Sequence, residues 1–133
     1  FLQKAVNMRP HIAHYHFDLG NAYQHTRLFD EALQEFRQTL EIQPIHPQAQ
    51  NNIGVIFWNL KSYAKAEIEF KKTLRLQNNH PEIHHNLAAL YVKSNRFTNA
   101  ILHLKQVLKL QPENETAKKL LAYSLAQVKG GPS

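Results

Sequence analysis

The sequence predicts an all-α fold: a solenoid of antiparallel helix pairs closed by a C-terminal capping helix. Three observations carry this. Small residues recur at a spacing of 34, at Gly20, Gly54, Ala88 and Ala122, with an apolar residue one position earlier at Leu19, Ile53, Leu87 and Leu121. Many other columns keep step: Tyr23, Phe57, Tyr91 and Leu125; Phe29, Tyr63 and Phe97; Ala32, Ala66 and Ala100; Phe36, Phe70 and Leu104; Leu40, Leu74 and Leu108. Within a unit the apolar positions fall three and four apart, the period of one helix face. A single helix pair cannot bury such a stripe alone, so neighbouring pairs must stack.

The elements follow in order. Residues 1–9 match the second half of a unit, with Leu2, Ala5, Val6 and Met8 in the columns of Phe36, Thr39, Leu40 and Ile42. Their partner helix is missing. The sequence therefore predicts further repeats upstream, and homo-association or another neighbour covering Phe1, Leu2, Ala5 and Val6 without them. Three complete units span 13–46, 47–80 and 81–114. In each, a first helix carries the small residue and a second helix carries a stripe such as Ala32, Phe36 and Leu40. A short polar break separates the two: His25-Thr26-Arg27, Asn59-Leu60-Lys61-Ser62 and Lys93-Ser94-Asn95-Arg96. Pro47 and Pro81 suit a first helical position, where the missing N–H is harmless. Pro44 and Pro112 stand where the preceding helix must stop. Residues 115–129 repeat the first-helix pattern with added polar residues, as a terminal cap requires, and 130–133 read as a flexible tail.

The small and aromatic columns have a packing logic. Gly or Ala on the first helix and Ala32, Ala66 and Ala100 on the second let the backbones approach, and the aromatic column fills the space between adjacent pairs. Leu19-Gly20-Asn21-Ala22-Tyr23 and Ala32-Leu33-Gln34-Glu35-Phe36, closing on Pro44, resemble the tetratricopeptide repeat family, and the resemblance covers essentially the whole chain. It implies a right-handed superhelix. Departures are local: His16, Gln50 and His84 stand where the family often has Trp, Thr39, Thr73 and Val107 where Ala is usual, and Asn78 at the closing Pro.

Composition excludes other classes. The 133 residues include 16 Lys+Arg, 10 Asp+Glu, 9 His and no Cys, for a formal charge of +6. Without Cys there is no disulfide frame, thiolate site or cysteine nucleophile. Hydrophobic content of 43% with four Gly and six Pro argues against disorder and collagen-like sequence. No apolar run is long enough to span a bilayer, so no membrane insertion is expected. Gly-rich phosphate loops, a nucleophile elbow and HExxH are all absent. The inventory is that of a non-enzyme, and no cofactor is expected.

In the resembled family the first helices line the concave face, where peptides usually bind. Transferred residue by residue, this implies a groove lined in the first unit by His14, Phe17, Asp18, Asn21, Gln24 and His25. The second unit supplies Gln48, Asn51, Asn52, Val55, Trp58 and Asn59, the third Glu82, His85, Asn86, Ala89, Val92 and Lys93, and the cap Lys119, Tyr123, Ala126 and Gln127. Asn52 and Asn86 stand 34 apart. Asn offers an acceptor and two donors, so one per unit could pair with both polar groups of an extended backbone. The superhelix of O-GlcNAc transferases is similar, with Asn in this column. The competing role for these asparagines is helix-to-helix hydrogen bonding. Trp58, the single Trp, is an expected apolar anchor. The implied partner is a protein or peptide; the alternative readings are a self-associating or spacer segment, or an accessory domain of a larger enzyme or assembly.

Other readings are weaker. The chaperone-binding members of the family clamp a C-terminal carboxylate with Lys, Asn and Arg. Asn21 and Asn52 match the Asn positions here, but Phe17, Glu82 and Asn86 replace the cations. Nine His suggest a metal, yet His80 and His84, at the right spacing, are separated by Pro81, and no carboxylate completes a set, so no metal is expected. His14, His25 and His85 would instead make the groove repel a basic ligand on acidification. Residues 46–133 hold twelve basic and five acidic groups, many on second helices, where a solvated surface explains them. Aromatic–basic interleaving is lacking, so no specific nucleic-acid partner is expected.

Overall fold

In a computed structural model the described residues are 2–77 and 79–130, with side chains described from residue 11 onward. They form seven helices and no strand: α1 (Leu2–His25), α2 (Phe29–Ile42), α3 (Pro47–Asn59), α4 (Tyr63–Leu76), α5 (Pro81–Lys93), α6 (Phe97–Leu110) and α7 (Glu115–Lys129). The chain divides into two compact units, Phe1–Leu76 and Gln77–Ser133.

In the first unit α1 pairs with α2, α3 with α4, and α2 lies against α3. Ala32, Leu33, Phe36, Ala49, Ile53 and Ile56 form a core, flanked by Phe17, Tyr23, Phe29, Leu40 and Phe57. The repeated glycines have a steric cause. A Cβ on Gly20 would lie 2.7 Å from Cε1 of Phe36, and one on Gly54 would lie 2.6 Å from Cε1 of Phe70. Each first helix thus rests its bare backbone on a phenyl ring of its partner. In the second unit α5 packs on α6, and α6 on α7. There the small position is Ala88 and the facing column holds Leu104, both fully buried. An extra methyl on one helix goes with a smaller side chain on the other.

The tight turns repeat as well. Leu28 N–H donates to Tyr23 O and Arg27 N–H to Gln24 O; the same pair of bonds runs from Ser62 and Lys61 to Phe57 and Trp58, and from Arg96 and Asn95 to Tyr91 and Val92. This is the Schellman closure of a helix. It places Arg27, Lys61 and Asn95 in the left-handed region, at φ 62, 61 and 60°. Usually glycine takes that position, and here none does.

A polar bridge crosses each hairpin in register. His16 Nδ1 lies 2.7 Å from Glu35 Oε1, Gln50 Nε2 donates to Glu69 Oε1, and His84 Nδ1 lies 3.0 Å from His103 Nδ1. His16, Gln50 and His84 stand where Trp is usual, and they use the place for hydrogen bonding between helices.

Helix α1 differs from the sequence expectation. It runs unbroken from Leu2 to His25, across the point where the 1–9 helix was expected to end. An internal proline forfeits one helical hydrogen bond and favours a kink, but does not oblige the helix to stop. Side chains 1–10 lie outside the described residues, and with them the apolar surface expected at Phe1, Leu2, Ala5 and Val6. The closing position Asn78 and tail residues 131–133 also lie outside them.

Candidate functional site

The expected groove residues fall on first helices in both units. In the first unit they lie on α1 and α3, at three kinds of position. One column turns inward: Phe17 and Asn51, 34 apart. Phe17 is half-buried, 5.8 Å from the Phe36 ring and 4.8 Å from the His46 ring. Asn51 is buried at 7% exposure. Phe17 therefore contributes to the core, which the sequence did not anticipate.

A second group joins the two helices. Asn52 Nδ2 donates to Asn21 Oδ1 across α1 and α3 at 2.9 Å, with both side chains half-exposed. The bond uses one donor and one acceptor of the pair. One N–H of Asn52, the Asn52 oxygen and the Asn21 amide group stay available to a ligand. Val55 is half-buried one turn further along α3, and Gln24 half-buried on α1. Trp58 is also half-buried, edge-on to Tyr63 of α4 at 5.2 Å.

The third group is solvated. His14 Nε2 meets Asp18 Oδ2 at 3.2 Å with both side chains largely exposed, and the pair is worth little. Asn59 donates to Val55 O at 3.1 Å and closes the end of its own helix. Gln48 and His25 are exposed.

In the second unit α5 and α7 carry the remainder. Asn86, Ala89 and Val92 are half-buried, and Glu82, Lys93, Lys119, Ala126 and Gln127 are exposed. Tyr123 is half-exposed, its ring edge-on to Phe97 at 6.0 Å. His85 falls in the inward column of Phe17 and Asn51, and its buried Nδ1 has no hydrogen-bond partner. The exposed charge of this face is cationic at Lys93 and Lys119 and anionic at Glu82.

The starts of the first helices show what fixes these faces. His46 caps α3, its Nδ1 accepting from Ala49 N–H at 3.1 Å. Burial of the ring, reinforced by nearby His14 and opposed by a backbone hydrogen bond, holds its pKa below the ordinary 6.5. Asn114 caps α7 in the same way, accepting from Ala117 N–H at 3.0 Å. His80, in the same column, makes no cap bond to α5, and its Nδ1 is buried without a partner. Sequence reading missed this column, although 46, 80 and 114 stand 34 apart. Among the described residues no three His, Cys, Asp or Glu side chains converge on a possible metal position, and no helix is long and apolar enough to cross a membrane.

Paired helices, rings over small residues, and half-exposed polar side chains along the first helices define an α-helical hairpin-repeat protein. Tetratricopeptide repeat profiles match residues 17–81 and 57–123: the chain belongs to the tetratricopeptide repeat family. Among solved structures it is similar to the first TPR of Spaghetti (RPAP3) bound to the HSP90 peptide SRMEEVD, at TM-score 0.84 and 21% identity, covering 90% of this chain and 95% of that one. The Arabidopsis OM64 TPR domain is similar at TM-score 0.83 and 16% identity, covering 90% and 98%. The first TPR domain of human RPAP3 is similar at TM-score 0.80 and 23% identity, covering 92% and 99%. No curated protein sequence gives a significant match.

Proposed function

We propose that the chain is a non-catalytic protein–protein interaction module that binds an extended peptide or partner segment along its first helices. The carrying observation is the Asn21–Asn52 bond. It holds two half-exposed amides side by side on α1 and α3, with hydrogen-bonding groups left over, close in sequence to Val55 and Trp58. On the first unit Asn21 and Asn52 grip the peptide backbone while Val55 and Trp58 contact apolar side chains. On the second, Asn86 offers a backbone contact, Tyr123 an apolar one, and Lys93 and Lys119 favour an acidic group.

The similarity to a domain that holds an HSP90 peptide supports peptide binding as a class, while the residues here argue for a different ligand. Phe17 stands where the chaperone-binding members place a cation, and it packs on Phe36 and His46. Glu82 adds negative charge where they place a second cation. The peptide SRMEEVD should therefore bind far more weakly than to a clamp-bearing domain.

The test is selection of ligands from a random peptide library on the intact chain, followed by titration of the selected peptide. Trp58→Ala, and the pair Asn52→Ala and Asn86→Ala, should each weaken it at least about tenfold without loss of helicity. Undiminished binding by both variants would place the ligand elsewhere.

A further inference from the structure

The outer face of α7 carries an inference independent of the groove. Each first helix has a face covered by the second helix of its own hairpin. Gly20, Gly54 and Ala88 lie on it and all are buried, whereas Ala122, in the same column of α7, is exposed. Leu125 is 45% exposed, while in its column Tyr91 is 2% exposed and Tyr23 and Phe57 are half-buried. We propose that this face docks an amphipathic helix supplied in trans, with the pattern Ala-x-x-Glu-Leu-x-x-Thr/Val-Leu.

The three complete hairpins define that pattern. Their second helices read Ala32…Glu35-Phe36…Thr39-Leu40, Ala66…Glu69-Phe70…Thr73-Leu74 and Ala100…His103-Leu104…Val107-Leu108. Phe lies over Gly in the first two, and in the third the same two columns hold Leu104 and Ala88, both fully buried. Ala122 therefore calls for Leu. The residue before it is set by charge. Lys118 stands in the column of His16, Gln50 and His84, whose partners across the hairpin are Glu35, Glu69 and His103. A lysine there calls for a carboxylate. Lys118 meets Glu115 at 3.4 Å and Glu113 at 3.9 Å, but it is 44% exposed, and these acids are 70% and 94% exposed. Such solvated pairs are weak and easily exchanged.

The probe is a fluorescein-labelled peptide with the 14-residue sequence of α4 carrying Phe70→Leu, titrated with the intact chain and read by anisotropy. Saturable binding is expected. It should weaken at least about tenfold with Leu125→Lys or Lys118→Glu in the chain. A peptide also carrying Glu69→Lys should recover affinity for the Lys118→Glu chain. Trp58→Ala should leave binding unchanged, which separates this face from the groove. Circular dichroism melts confirm that the variants fold. No binding at millimolar chain concentration, or binding indifferent to both substitutions, overturns the proposal. Self-association that Leu125→Lys abolishes, without peptide binding, assigns the face to a second copy instead.

Discussion

Gly54→Ala isolates the contact that sets the spacing of the first unit's helices. The new methyl would sit 2.6 Å from Cε1 and 2.7 Å from Cδ1 of Phe70. Phe70 is 1% exposed, so its ring has nowhere to swing. Overpacking of this kind costs about 1–3 kcal/mol. The better helix propensity of Ala returns roughly 0.5–1 kcal/mol. A net loss of about 0–2.5 kcal/mol is expected, toward the upper end because the buried ring cannot yield. Phe70→Leu alone should also destabilise, because it leaves a gap over the glycine. Together the two substitutions reproduce the Ala88 and Leu104 combination of the second unit, so the double variant should approach wild-type stability. The double-mutant cycle should give a favourable coupling of about 1–3 kcal/mol, the range for residues in direct contact. Urea denaturation followed by circular dichroism measures each corner. Additive losses would mean that the Gly–Phe and Ala–Leu pairings are coincidence, and would remove the basis for expecting Leu over Ala122.

Further predictions rest on single positions. Lys61→Gly should stabilise by about 0.5–1 kcal/mol, because only glycine takes positive φ without strain. Asn95→Gly should gain less, since Asn tolerates that region; equal gains from both would contradict this. His80→Asn should supply the cap that Asn114 already gives α7 and add about 0.5–1 kcal/mol, read as a higher melting temperature. His46 binds fewer protons folded than unfolded because its pKa is lowered from 6.5. Its contribution is therefore full above pH 6.5 and is lost as the pH falls toward the lower folded value. The stability difference between wild type and His46→Asn should shift toward the variant between about pH 7.5 and 5; a flat difference would show that the ring titrates alike in both states.

The fold was legible because packing against neighbours restricts residue types column by column. The small position admits Gly or Ala, the facing position Phe or Leu, and both recur in step from Gly20 to Ala88. The turns were harder to read. Arg27, Lys61 and Asn95 adopt a conformation normally announced by glycine, and their side chains say nothing of it. Only their common spacing would have revealed it. Polar bridges hid for a similar reason: they pair His16 with Glu35, Gln50 with Glu69 and His84 with His103, so no single residue pair marks the bridge. Helix α1 runs on through Pro10, since a proline weakens a helix without obliging it to end.

Groove residues were legible as a face and less so one by one. Adjacent positions such as Asn51 and Asn52 differ by about 100° around the helix, and that difference separates a buried amide from a half-exposed one. Phe17 was assigned to the groove by analogy with ligand-binding members, but an aromatic at that position finds more partners inward, on Phe36 and His46. The same comparison of columns gives the outer face of α7 its meaning. Ala122 is an unremarkable surface alanine until it is set beside Gly20, Gly54 and Ala88, each buried under a second helix. A repeat protein carries its own controls in this way. Where three copies bury a position and two show the ring that covers it, the fourth copy's exposed residue points to the side chain that would cover it.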